Sequence, residues 1–227
     1  MTSADAIGSN LAAIVRAIER ACDRAGRDPD DVLLVGATKT VEIATIRWAF
    51  EAGVRAFGEN YVSELRSKAP ELPQARWHFI GTLRSGSAHH VADLADVVET
   101  LAGERASARL ARRSAGSGRE VDALIEVDLA GRGTGVPPRD LPGFARWATT
   151  LDGVRVRGLM TLPPFDPDPE SARPWFARLR SARDELREEH PQMLELSMGM
   201  SLDYPVAVEE GATMVRIGTA LFGPRAP

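Results

Sequence analysis

Eight short apolar runs separated by amphipathic stretches leave this chain few folds to choose from. Runs at Val32–Ala37, Val54–Phe57, Trp77–Ile80, Val97–Thr100, Val121–Val127, Val154–Leu159, Leu194–Ser197 and Met214–Ile217 read as strands. Between them, helical periodicity covers Ile43–Ala52, Val62–Lys68, Ala88–Ala95, Glu104–Ser114, Leu141–Leu151, Glu170–His190 and Tyr204–Glu210, and several of these segments end at glycine. One more helix precedes the first strand, with Ile7, Leu11, Ile14, Val15 and Ile18 on one face and Gly26 behind it. Regular alternation of strand and helix implies parallel βαβ units, and a run as apolar as VDALIEV suits a strand covered on both faces. The expected fold is therefore α/β, a single (β/α)8 barrel of TIM type with an extra N-terminal helix. It takes residues 1–227 as one domain, with 1–28 packed on the barrel. The rival, a doubly wound open sheet, lacks a G-x-G-x-x-G after the first strand, and no Pro/Gly/Ser-rich linker divides the chain in two.

Composition removes several classes of function. The net charge is −4 with no basic tract, so there is no electrostatic footprint for nucleic acid. No apolar run approaches the ~18 residues that span a bilayer. The N-terminus, MTSADAIGSN, lacks the basic start and apolar core of a secretory leader, and the single cysteine, Cys22, falls on a helix stripe as a packing residue. A cytoplasmic protein with no membrane partner and no metal site is expected.

The basic residues are unevenly chosen. Of 28, only Lys39 and Lys68 are lysine and the rest are arginine. Lys39 follows the first strand in LLVGATKT, and active sites of (β/α)8 barrels gather at the C-terminal ends of the strands. Arginine serves for charge, but only lysine, with an amine that can lose its proton, forms an imine with a carbonyl. A solvated lysine at a strand end is the alternative.

Other strand ends add polar groups. After the second strand, FGENYVSE offers Glu59, Asn60 and Tyr61 at the start of a helix, where Asn60 is a candidate ligand or an ordinary cap. His78 lies within the third strand, where a packed, hydrogen-bonded role competes with a functional one, and Arg84 and Ser85 follow it. After strand seven, Ser201 is expected to begin a helix. In strand eight Arg216 alternates with Val215 and Ile217 and should point into the barrel, where it needs an acceptor. Gly218 and Thr219 open the last helix, and with Ser201 they form either a phosphate cup or a pair of plain N-caps. In a closed barrel strand eight neighbours strand one, so phosphate cup, arginine and amine converge. A small molecule carrying an aldehyde and a phosphate fits that arrangement, and pyridoxal 5′-phosphate is the common one. Arg216 could then reach its pyridine nitrogen, disfavour protonation there and weaken the electron sink.

The segments VGATKT, FGENYVSE, WHFIGTLRS, GLMTLPP, LSMGMSLD and MVRIGTALFG resemble, in order and spacing, those of the pyridoxal phosphate homeostasis proteins, the YggS or PROSC family. The resemblance implies a barrel like the N-terminal domain of alanine racemase, with Lys39 carrying the Schiff base and Arg216 facing the pyridine nitrogen. It also implies that Ser201, Gly218 and Thr219 bind phosphate, and that Asn60, His78 and Met198 lie beside the cofactor. The implied role is carriage of the cofactor, with transient contact to apoenzymes, as a monomer or weak dimer without robust catalysis. The sequence departs from the family pattern at Arg84–Ser87, where a Q-x-N-K is usual, at Arg132 and Gly133, where a K-x-G is usual, and at Leu202. Two other readings compete: a racemase-like enzyme acting on amino acids, and a barrel for another phosphorylated metabolite. The racemase reading needs a second acid/base, for which His78, Tyr61 or Tyr204 are the candidates, and with the sequence ending four residues after Gly223 the racemase's further domain is not expected.

Overall fold

In the computed structural model, which describes residues 3–224, eight parallel strands close into a barrel in sequence order. They are β1 (Leu33–Ala37), β2 (Ala56–Glu59), β3 (Arg76–Phe79), β4 (Val97–Leu101), β5 (Val121–Glu126), β6 (Val154–Met160), β7 (Glu195–Ser197) and β8 (Met214–Ile217). Pairing of β8 with β1 closes the ring and sets Val35 beside both Arg216 and Ala56. The helices are α1 (Ala4–Ala25), α2 (Ile43–Glu51), α3 (Val62–Lys68), α4 (Ala88–Leu94), α5 (Glu104–Gly116), α6 (Leu141–Ala148), α7 (Arg173–Leu186), α8 (Tyr204–Glu209) and α9 (Thr219–Phe222). Each expected strand is present, with boundaries moved by a residue or two.

Two helix starts differ from the sequence reading for local reasons. The segment expected over Glu170–His190 is an α-helix only from Arg173, because Pro174 occupies its first turn and Pro169–Ala172 forms a 3-10 turn capped by Asp168. Ser201 does not start a helix: Ser201–Asp203 form a turn, and α8 begins at Tyr204 with Pro205 in its first turn.

Side-chain alternation sorts each strand into an inward and an outward set. Outward residues such as Phe57, Trp77, Val98, Ile125, Leu159, Leu196 and Val215 join Ile46, Leu65, Leu110 and Phe176 of the helices in one continuous apolar layer. Inside the barrel a small separate cluster of Leu124, Met160 and Met214, with Leu33 against it, fills one layer. Beyond it His78, Glu99, Ser197 and Arg216 bring polar groups into the interior beside the apolar Val35, and this uneven filling leaves the chemistry in the barrel's upper half.

Helix α1 is capped at Ser3, whose hydroxyl accepts the Ala6 N–H, and stops at Gly26 in the left-handed conformation. It crosses the β8–β1 side of the barrel, fixed there by Asn10 to the Leu221 carbonyl (3.0 Å) and by Arg27 to the carbonyls of Val208 (2.6 Å) and Ala212 (2.8 Å). No described helix is long and apolar enough to cross a membrane.

Candidate functional site

Inside the barrel, side chains from four strands form one hydrogen-bonded set. Glu99 on β4 is fully buried; its Oε1 meets Nδ1 of His78 on β3 at 2.7 Å, and its Oε2 accepts the hydroxyl of Ser197 on β7 at 2.5 Å. Arg216 on β8 is 4% exposed. Its Nη1 donates to Ser197 Oγ and stands 3.6 Å from Glu99 Oε2, while Nη2 donates to the Thr161 carbonyl at 2.9 Å. The interior arginine thus finds its acceptors in Ser197 and the Thr161 carbonyl and its counter-charge in Glu99, a residue the sequence reading passed over. The signal for it was present, since Glu99 interrupts VVETL just as Arg216 interrupts MVRI.

Burial by itself raises the Glu99 pKa, but the His78 hydrogen bond, the charges of His78 and Arg216 and the Ser197 hydroxyl outweigh it and hold the carboxyl below the ordinary glutamate range. Burial lowers the Arg216 pKa, against the opposing pull of Glu99, Asp203 and Glu126. An ionised Glu99 only accepts, so His78 carries its proton on Nδ1, and Nε2 is left with no partner among the described residues. The pairing of β4 with β5 shifts register between Val98 and Leu101, and that irregularity is where Glu99 sits.

Lys39 lies two residues beyond β1, on the inward parity of Leu33 and Val35. Its neighbour Thr38 takes the outward parity and is fully buried, donating its hydroxyl to Glu59 Oε1 (2.6 Å). Thr38–Val41 is a tight turn closed by the Val41 N–H on the Thr38 carbonyl (2.9 Å), and Thr40 holds its third place at φ 62. That is the backbone of a type II turn, whose third residue is usually glycine or asparagine. The Lys39 ammonium stands over the Tyr61 ring, 5.0 Å from its centroid. Glu59 is the last residue of β2, buried beneath α3, rather than part of a helix start. Asn60 precedes the N-cap, Tyr61, and so is not the cap itself. A Cβ on Gly81 would come within 1.9 Å of the Asn60 carbonyl oxygen, so glycine there lets the turns after β2 and β3 touch.

On the β7–β8 side, Ser201 Oγ accepts the Ala220 N–H at 3.1 Å, bringing the turn after β7 onto the first turn of α9, where Gly218 is the N-cap and Thr219 is exposed. Asp203, its pKa raised by burial, accepts the Met200 N–H (2.6 Å) and closes the Ser201 turn. Gly199 adopts φ 93, and a Cβ there would strike Ala207 and Tyr204 of α8. Met198 is fully buried in the apolar layer beneath the helices. Arg84 is exposed and Ser85 half-buried in the turn after β3. The structure therefore joins Ser201 with the Gly218–Ala220 turn, and Arg216 with His78 through Glu99.

Parallel closure, a lysine-bearing turn on β1 and a buried arginine on β8 define a barrel of the alanine racemase N-terminal class, and residues 5–226 match the family described as alanine racemase, N-terminal domain. An alanine racemase from Clostridium difficile shares the fold at 12% identity and TM-score 0.72, with 94% of this chain covering 60% of that one. More similar proteins narrow the class. The pyridoxal phosphate homeostasis protein of Aquifex aeolicus is 40% identical over 220 residues, 95% of this chain and 96% of that protein, and the one from Escherichia coli K12 is 34% identical over 228 residues, 96% and 97%. PipY of Synechococcus elongatus, solved with PLP bound, superposes with TM-score 0.81 at 35% identity, covering 91% of this chain and 100% of that one. This chain belongs to the pyridoxal phosphate homeostasis protein family.

Proposed function

We propose that this protein binds pyridoxal 5′-phosphate through Lys39 and serves intracellular homeostasis and carriage of that cofactor, rather than turnover of a substrate. The homeostasis proteins to which it is similar over nearly their whole length, and PipY with its bound PLP, support the cofactor and the role. The observation in this chain that carries the reading is what the paired strands β8 and β1 bear: an amine on an anchored turn after β1, a buried interior arginine on β8, and a hydroxyl that accepts the Ala220 N–H in the first turn of α9. The buried His78 Nε2, without a hydrogen-bond partner among the described residues, adds a polar atom suited to a bound ring.

Pyridoxal phosphate, when bound, supplies an aldehyde that an amine can capture and a ring that withdraws electrons. The remaining work belongs to the protein. Lys39 is the covalent anchor, kept in the mouth by its turn and by Tyr61. Ser201, the Gly218 cap and Thr219 hold the phosphate, with Asn60 and Met198 flanking the site. Arg216 faces the ring nitrogen, and Glu99 at 3.6 Å offsets much of its charge. An arginine in that place keeps the nitrogen unprotonated, which suits holding a cofactor more than driving carbanion chemistry. Cytoplasmic location, transient contact with apoenzymes that receive the cofactor and a monomeric or weakly dimeric state complete the proposal.

One feature favours a second reading, a racemase-like enzyme acting on amino acids: His78, oriented by Glu99, resembles a positioned acid/base pair. A single experiment addresses both. Purified protein saturated with pyridoxal phosphate is expected to absorb in the visible, to lose that absorbance on borohydride treatment and to carry the added mass on Lys39. Lys39→Arg should remain folded and colourless. A Lys39→Arg protein that retains the cofactor would instead favour a barrel for some other phosphorylated metabolite, with Lys39 a simple cation. Sustained exchange of the amino acid α-proton by the loaded protein, lost in His78→Gln, would establish the enzyme.

A further inference from the structure

We propose that Lys68, with Glu59 and Glu64, is a positioning device that holds the Lys39 turn in its left-handed conformation; the inference rests on the reading of Lys39 as the cofactor's anchor. The second lysine of an arginine-rich chain is 8% exposed at the end of α3. Its ammonium donates to the Thr38 carbonyl (2.9 Å), Glu59 Oε1 (2.8 Å) and Glu64 Oε2 (2.5 Å), so each of its three N–H bonds has an acceptor. The same groups reach both neighbours of Lys39. Thr38 is held through its carbonyl by Lys68 and through its hydroxyl by Glu59, and the Thr40 N–H donates to Glu64 Oε2 (2.8 Å).

A β-branched residue at positive φ persists only where its surroundings over-determine it. For Thr40 at φ 62 those surroundings are the Glu64 carboxylate on its N–H and the Lys68 ammonium on the carbonyl that closes the turn. Three acceptors converging on one nitrogen suit a tetrahedral ammonium, whereas the planar guanidinium spreads its donors over three nitrogens. This explains lysine at a place where the chain elsewhere uses arginine. Glu59 completes the device from below: burial pushes its pKa up, while Lys68 and Thr38 oppose that shift. Tyr61, at the other end of α3, roofs the Lys39 ammonium, so a single short helix fixes the turn from both sides.

Left-handed backbone is disfavoured for a β-branched residue by a factor of roughly 5 to 30, so an unpinned turn spends most of its time elsewhere. The test uses Lys68→Arg, Lys68→Met and Glu64→Gln, with two readouts and thermal unfolding as the control for folding. The first is the acylation rate of Lys39 by acetic anhydride in protein freed of cofactor, normalised to an added lysine peptide and mapped by mass; only two lysines need to be resolved. The second is the rate at which the same protein captures added pyridoxal phosphate. Loss of the pins is expected to speed acylation and to slow capture by about fivefold or more, with Lys68→Arg as defective as Lys68→Met and Glu64→Gln, which keeps a neutral acceptor for Thr40, between them and wild-type. Folded Lys68→Arg or Glu64→Gln protein that matches wild-type in both rates would overturn the proposal, even if Lys68→Met fails to fold. Wild-type protein that captures no pyridoxal phosphate, while the acylation rates order as expected, would sink the cofactor reading and leave the positioning role standing.

Discussion

Glu99 is the residue on which the barrel interior balances. It faces the Arg216 cation, accepts the Ser197 hydroxyl and fixes the tautomer of His78. Glu99→Gln leaves a buried guanidinium without its counter-charge, a change that costs roughly 3–5 kcal/mol in comparable buried pairs. For a chain of this size that lowers Tm by about 6–20 °C. The pH dependence has a definite sign. Because the folded pKa of Glu99 lies below its unfolded value, its contribution is complete above the ordinary glutamate pKa of about 4.3 and is lost as pH falls through the folded value. The Tm gap between wild-type and Glu99→Gln should therefore be widest at neutral pH and narrow below about pH 4; a gap that stays constant down to acid would show that Glu99 is not held ionised.

At the level of elements, glycine governs how closely the barrel's strands and turns approach. A Cβ on Gly158 of β6 would stand 1.9 Å from the carbonyl oxygen of Glu195 on β7, its paired residue. No side-chain motion relieves a contact with backbone. Strand β7 is only three residues long, so Gly158→Ala strains one of the ring's shorter pairings. Overpacking of this kind costs about 1–3 kcal/mol or more, and a Tm fall of at least ~3 °C is expected by circular dichroism. A variant as stable as wild-type would mean that β6 and β7 can separate without loss.

On the scale of the whole molecule, helix α1 acts as a strap across the β8–β1 side of the barrel. Arg27 donates to two carbonyls at the end of α8 and just beyond it, and Arg24 pairs with Glu209. Arg27→Met keeps much of the aliphatic stem but removes both donors, leaving Val208 with its Gly211 N–H and taking from the Ala212 carbonyl its Arg27 bond, and should cost about 1–3 kcal/mol. Arg24 is more than half exposed, so Arg24→Met should change denaturant stability far less. Equal losses for the two variants in urea titrations would show that the strap acts through surface charge rather than through buried carbonyls.

The sequence by itself determined the element order, the barrel and the presence of Lys39 and Arg216 at strands one and eight, because those features are written in local periodicity and in single polar residues that interrupt apolar runs. Gly218 was legible as the start of the last helix by the same logic, whereas Ser201, expected to begin a helix, lies in the turn before α8. Only the tertiary structure decided which groups meet. Glu99 and His78 are 21 residues apart and Glu99 and Ser197 are 98 apart, and nothing in the intervening chain encodes their contact. Lys68 stood in the sequence only as the last residue of an expected helix, and it is the pairing of β1 with β2 that carries the Thr38 carbonyl to it across 30 residues. Periodicity reports which face of an element is buried. The partner waiting on that face is set by strand register and ring closure, and those are properties of the assembled barrel.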